Sequence, residues 1–230
     1  EIPEIDLVIG NGEYETVAAA ATTRDAPAPR ARGPHDFLHS ASSPRVNTFM
    51  PHSAFVKVSE GCDQACAFCI IPKLRGPQRS RTVDDIALEV ETMASRGIVE
   101  LNLVAQDLTA YGMDLAERSS LATLLGRLVT IDAVGWIRLH YAYPRRFPRE
   151  LLSMIRDEEK ILPYVDMPLQ HISDRILSRM RRGHRQAFVE KLLDTLEDGI
   201  PGVTLRTSFI VGFPGETDAE FAELCAFVDA

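Results

Sequence analysis

The segment Gly61-Cys62-Asp63-Gln64-Ala65-Cys66-Ala67-Phe68-Cys69 holds three cysteines in a C-x3-C-x2-C spacing. Three thiolates on one short loop can each take one iron of a cubane [4Fe–4S] cluster, leaving the fourth iron without a protein ligand. An open coordination position lets a metal site bind a small molecule and act on it. Flanking Phe68, Ile70, Ile71 and Pro72 are expected to exclude water, and loop N–H groups to donate to sulfur. Both effects tune a reduction potential. Two other readings compete. A structural zinc site wants four ligands in paired units, and His52 is the nearby recruit, at an unusual spacing. Three buried, unligated cysteines are the other reading, and a glycine-containing loop just past a strand argues against it. The fourth cysteine, Cys225, sits with Phe221, Leu224 and Val228 at helical spacing. It is expected in the core, as a small hydrophobe.

The cysteines do not form a secreted disulfide framework, so a reducing, cytoplasmic setting is expected. The chain has 230 residues, 45% of them hydrophobic, enough for one α/β barrel-like domain. Lys and Arg number 25 against 33 Asp and Glu, a formal charge of −8. Such a balance disfavours general nucleic-acid binding, which needs clustered cations, and no direct nucleic-acid contact is expected. Local basic clusters remain conceivable at Arg75, Arg79 and Arg81, and at Arg179, Arg181, Arg182 and Arg185. The second cluster is expected to be a solvated helix end, favourable near the C-terminal dipole. No apolar run approaches the roughly 18–20 residues of a membrane span.

The elements that must position the cysteines follow from periodicity and punctuation. Residues 5–20 read as a strand, a Gly-Asn-Gly turn and a short helix. The opening residues read as part of a strand rather than a signal peptide, so the N-terminus is expected to be cut inside a domain. Residues 22–53 are rich in Pro, Ala, Arg and Ser and read as a linker. From residue 54, strands over 54–58, 101–105, 136–141, 164–167 and 203–211 alternate with helices. Thr82 caps a helix running to about Arg96, with Gly97 as its stop. Further helices are expected over 121–131, from Pro148 to Asp157, from Ser173 to Arg182 and over 186–197. A capping box at Thr217–Glu220 starts the last one. Strand–helix alternation predicts an α/β fold with parallel strands, a partial (β/α) barrel with outer helices. Loops after the strands carry the chemistry in such sheets. The cysteine loop, Gln106-Asp107, Tyr143-Pro144, Gln170-His171 and Gly212–Glu216 should therefore meet on one rim.

These motifs together resemble the radical-SAM methylthiotransferase family. The resemblance rests on the cysteine loop continuing as Ile70-Ile71-Pro72-Lys73-Leu74-Arg75-Gly76, on Gln106-Asp107-Leu108-Thr109-Ala110-Tyr111-Gly112, and on Leu205 to Thr217. Arg138-Leu139-His140-Tyr141-Ala142-Tyr143-Pro144 and Ile161 to His171 are similar to its RimO-type branch. The match covers residues 54–230, and residues 1–21 resemble the end of that family's N-terminal domain.

The resemblance implies a TIM-like radical-SAM barrel. It implies β-methylthiolation of an aspartate in small-subunit ribosomal protein 12, with S-adenosylmethionine (SAM) as radical source and methyl donor. Cys62, Cys66 and Cys69 would hold the cluster, and a flavodoxin or ferredoxin would supply electrons. A second [4Fe–4S] cluster is expected in the family's N-terminal domain. Neither those cysteines nor the C-terminal TRAM domain has a counterpart in these residues. The resemblance thus implies a fragment able to cleave SAM but not to complete sulfur insertion.

Phe68, Gln170, Arg206, Gly212 and Gly215 are candidate SAM contacts. Phe68 would lie near the adenine, or simply pack. Gly212 and Gly215 would let the backbone approach the nucleoside, or only connect the strand to the capping box. Gln170 and His171 would hold a carboxylate, or His171 is a satisfied rim residue. Arg206, in an apolar strand, needs a partner for its buried guanidinium: the SAM carboxylate or a nearby acid. Asp107 and Tyr111 contact substrate or fix their loop. Two alternatives stand beside the main reading: a tRNA adenosine methylthiotransferase of the same family, and a non-catalytic zinc module.

Overall fold

The computed structural model describes residues 17, 22, 37–48 and 50–229. The strand and turn expected before residue 17, and most of the first half of the linker, lie outside the described residues. The strands are β1 (Ser53–Lys57), β2 (Ser59–Glu60), β3 (Arg79–Ser80), β4 (Glu100–Val104), β5 (Trp136–Leu139), β6 (Ile161–Asp166) and β7 (Thr204–Arg206). The helices are α1 (Ile71–Arg75), α2 (Val83–Ala94), α3 (Leu121–Leu128), α4 (Arg149–Asp157), α5 (Asp174–Arg179), α6 (Gln186–Gly199) and α7 (Asp218–Asp229). Five strands form one sheet in the order β1-β4-β5-β6-β7, and every pairing in it is parallel. The expected α/β half-barrel with outer helices is the fold observed.

Alternation along each strand explains the layers. Ala54, Leu101, Ile137 and Ile161 stand side by side across the sheet, and so do Val56, Leu103, Leu139, Val165 and Leu205. All but the partly buried Leu205 belong to the buried core beneath the helices, where Ile86 and Val90 of α2, Leu124 and Leu128 of α3, and Leu151 of α4 are fully covered. The opposite face is polar. There the His140 ring Nε2 lies 3.0 Å from Asn102 Oδ1, Arg206 donates to Asp166, and Arg138 stacks on Tyr164 at 4.8 Å.

Several boundaries depart from expectation, each for a local reason. β6 begins at Ile161 rather than Tyr164 because Pro163 falls in a register shift. There Ile137 and Leu139 face Ile161 and Val165, so the missing proline N–H costs no ladder bond. β5 stops at Leu139, since Tyr141 adopts φ +62°, which no strand accepts. β7 covers only 204–206 of the expected 203–211. Beyond it, pairing with the β6 loop continues irregularly: Gln170 N donates to Ser208 O, and Ile210 N to Gln170 O. α5 ends at Arg179, with Arg181 at φ +57°. β2, β3 and α1 carry no periodic signal because they are too short to show one. Cys225 is exposed, not core, as are Phe221 and Val228. α7 buries only Leu224, so its apolar arc is wider than the surface it covers.

The second half of the expected linker is docked. His39 and Arg45 reach Glu89 Oε1 at 3.3 and 2.5 Å, and Ala41 N donates to Asp85. The same Glu89 takes the buried Arg81 at 2.6 Å, and Arg81 Nε donates to Asp85 at 2.7 Å. Arg75, Arg79 and Arg81 are therefore no basic patch: Arg81 is internal and Arg75 faces Glu60 at 3.6 Å.

Glu89→Ala removes the buried carboxylate of this network while Asp85 still holds Arg81, and should lower stability to chemical denaturation by about 1–3 kcal/mol. Arg127→Ala, which breaks the exposed pair with Glu91, should cost under about 1 kcal/mol.

Candidate metal and ligand site

The cysteine loop leaves the end of β1 as a closed excursion. β2 and β3 pair antiparallel at its base, and Cys62 N donates to Gly76 O at 3.1 Å. Gly61 sits at φ +82°, where an added Cβ would lie 2.1 Å from Pro77 O, so only glycine fits before the first cysteine. Inside the loop, Cys69 N donates to Cys66 O, and Gln64 N reaches Cys62 Sγ at 3.4 Å. Two outside contacts hold the loop against the rim. Gln64 Nε2 donates to Asp107 after β4, and Ala67 N donates to Met180 O after α5.

All three cysteines line one cavity of about 610 Å³, a volume suited to a small ligand. Its walls come from the loops after β1, β4, β5, β6 and β7, through residues such as Gln106, Tyr143, Gln170 and Ser208. The convergence expected from the parallel topology is therefore realised. Tyr141 and Gln170, both in this wall, are non-glycine residues at positive φ, +62° and +74°. Such backbone costs of order 1–3 kcal/mol and concentrates at functional sites.

Cys62 is 7% exposed. Burial pushes its thiol up to about 11, and Asp107, Cys66 and Cys69 add to the rise against the Gln64 N–H. Thiols that oppose one another's ionisation are relieved by a cationic metal centre, which takes them as thiolates. His52 cannot complete a zinc set with them. It precedes β1 while the cysteines follow it, and five strand residues span roughly 16 Å. Among the described residues, no three His, Cys, Asp or Glu converge on a single ion. A cubane sets a different demand, since each thiolate binds its own iron. The cavity wall also holds Gln106 Oε1 and Arg182 Nε, buried polar atoms with no protein partner. Leaving each unpaired costs roughly 1–3 kcal/mol. The donor set and the cavity fit a cluster with a small ligand beside it.

The other sequence candidates divide. Phe68 and Gln170 line the cavity. Phe68 and Ile70 are exposed, contrary to their expected part in excluding water. Arg206, Gly212 and Gly215 lie outside the wall. The Arg206 side chain is 54% exposed rather than buried, and its partner is Asp166 at 2.8 Å. Burial works to raise the Asp166 carboxyl, but His140 and Arg206 outweigh it and hold the group below the usual range. Gly215 makes its close approach to Arg179, whose Nη1 an added Cβ would meet at 2.7 Å. His171 is fully buried, accepting from Ser173 N at Nδ1 and facing Glu216 at 3.5 Å. Asp107 and Tyr111 fix their loop: Asp107 accepts from Gln64 and Thr109, and Tyr111 OH donates to Arg81 O.

Arg182 is the residue that sequence reasoning misplaced. It is not part of a solvated helix end but buried in the cavity wall beside Cys66. The charge run concealed it. The local signal was Gly183, which marks 180–183 as a turn.

Comparison with known proteins gives the family and the fold. Residues 56–228 match the family described as the radical SAM superfamily. The chain is 53% identical over 230 residues to the ribosomal protein uS12 methylthiotransferase RimO of Anaeromyxobacter sp. (strain K), covering all of this chain and 49% of that protein. It is 50% identical to the protein of the same name from Myxococcus xanthus (strain DK1622), over 99% of this chain and 48% of that one. The chain thus spans about half the length of these curated relatives. Among solved structures, the cobalamin-dependent SAM radical enzyme OxsB superposes with a TM-score of 0.63 at 14% identity, over 76% of this chain and 26% of that one. The radical SAM methyltransferase TsrM from Kitasatospora setae gives 0.61 at 18% identity, over 78% and 34%. At such identities these two likenesses speak for the fold alone.

The raised Cys62 thiol has a measurable consequence. In the metal-free chain, its alkylation rate should still rise about tenfold per pH unit between pH 8 and 10, because the thiolate is the nucleophile. Mass spectrometry of each cysteine resolves this. A plateau below pH 9.5 would count against the burial described.

Proposed function

This chain belongs to the radical SAM superfamily, and on that premise we propose that it is the catalytic core of a methylthiotransferase. The substrate we infer is an aspartate of small-subunit ribosomal protein uS12. The observation that carries the chemistry is the cysteine trio on one clamped loop, opening onto a cavity of about 610 Å³. The choice of substrate is supported by the 53% identity to a named uS12 methylthiotransferase over this chain's whole length.

Cys62, Cys66 and Cys69 would hold a [4Fe–4S] cluster with one open iron, and SAM would fill the cavity. Once bound and given an electron, they supply a 5′-deoxyadenosyl radical able to take hydrogen from an unactivated C–H bond, which acid–base side chains cannot do. The protein's part is to bind, orient and exclude water. Gln106 and Ser208 stand in the wall of the cavity that the ligand would fill. Ala142 and Tyr143, buried in the wall, form the dry side. Phe68 and Gln170 stand where a nucleoside would be flanked. Gln64 ties the cysteine loop to Asp107, so movement of the trio is coupled to the loop that bears Gln106.

Residues 54–230 are read as the core, 22–53 as a connection docked in its later part, and 1–21 as the end of a preceding domain that carries a second cluster. A small one-electron carrier such as a flavodoxin or ferredoxin is the proposed reductant. A cytoplasmic setting follows from a ribosomal substrate. Among the described residues, no helix is long and apolar enough to cross a membrane.

Anaerobic reconstitution should give a brown protein with about four irons at the trio, and SAM with dithionite should release 5′-deoxyadenosine. Serine at Cys62, Cys66 or Cys69 should abolish that release. One colourless zinc per chain would end the radical reading. Expressed with its flanking gene sequence, the protein should methylthiolate a uS12 peptide and leave tRNA unmodified. Methylthioadenosine as the sole product would reassign the substrate.

A further inference from the structure

The wall behind Cys66 is built on a single buried cation. Arg182 is 5% exposed, whereas Arg181 and Arg185 face solvent. Its guanidinium lies over the Tyr143 ring, 4.3 Å from the centroid. Nη2 donates to Pro168 O at 2.7 Å, and Nη1 reaches Cys66 Sγ at 3.4 Å. The backbone is held as firmly: Arg182 N donates to Leu177 O, and Tyr143 OH donates to Arg182 O at 2.5 Å.

A buried guanidinium is costly unless its charge is compensated. Among the described residues, no carboxylate forms an ion pair with Arg182. Its surroundings are a ring face, a carbonyl and a sulfur. A neutral thiol is a weak acceptor, but a sulfur bound to iron carries negative charge and accepts a charge-assisted bond. The fixed fork of Arg suits this: one arm is spent on Pro168, which aims the other at Cys66.

We propose that Arg182 is a positioning residue that donates to the Cys66 sulfur and thereby raises the reduction potential of the cluster held by the trio. This rests on the cluster reading above. The step is a one-electron uptake from an external reductant. No bond forms or breaks, and the arginine keeps its protons. The added negative charge is stabilised by a nearby cation and an N–H donor more in the reduced state than in the oxidised one.

The test is a mediated redox titration of the full chain after anaerobic reconstitution, followed by paramagnetic resonance. Iron content and circular dichroism are recorded for each variant. Arg182→Gln should make one-electron reduction about tenfold less favourable, a shift of about 59 mV to more negative potential. Arg182→Lys, which keeps the charge but not the fork, should recover part of it. Wild-type protein that binds no iron overturns the cluster reading and this proposal together. Wild-type iron with an unmoved potential in Arg182→Gln overturns this proposal alone. If Arg182→Gln loses iron, a lowered potential in Arg182→Lys and Tyr143→Leu supports the assignment, and iron loss or an unmoved potential there sinks it. A changed SAM affinity with an unchanged potential would hand Arg182 to the ligand and also overturn it.

Discussion

Parallel register across the sheet is the constraint on which the site depends. Leu101 stands between Ala54 and Ile137, and Leu103 between Val56 and Leu139. Those rows are locked because a one-residue slip would turn every apolar side chain onto the polar face. With the rows locked, the carboxyl ends of β1, β4, β5 and β6 arrive at one level. Loops that are far apart in sequence then share a wall. The helix side supplies the stability, and the opposite face is left free for polar groups to collect.

The cysteine loop is a second structure mounted on the first. Its own residues offer little to hold it: α1 has no buried residue, and β2 and β3 are two residues each. Its shape comes from its attachments, the hairpin at its base, Gln64 on Asp107 and Ala67 on Met180. Neighbours on rigid elements hold the loop, which is how a short irregular segment attains a defined geometry. The same attachments join the cysteine trio to the loops after β4 and α5, so cavity wall and cysteines form one unit.

Charge is distributed with equal economy. The arginines buried in the fold each have a separate task. Arg81, between Asp85 and Glu89, fastens α2 and the docked residues 39–45 to the end of β1. Among the described residues Arg182 pairs with no carboxylate, and it stands against sulfur and an aromatic face. Arg206, by contrast, keeps one edge on Asp166 and the rest in solvent. Neighbourhood, not residue type, separates a structural cation from one that faces chemistry.

Much of this was legible in the chain alone. The C-x3-C-x2-C spacing put three thiols on one loop, because residue type and short-range spacing are local. Strand–helix alternation determined the parallel topology, because period and punctuation are local. Thr82, Ser173 and Thr217 behave as the caps they resemble, since a cap is completed within three residues. Tertiary structure alone decided the rest. It placed Arg182 against Cys66, 116 residues away, buried Tyr111 with its hydroxyl on the Arg81 carbonyl, and left Cys225 exposed. Burial of a charge or of a helix face is set by what packs against it, and that partner lies on another element, beyond the reach of any local pattern.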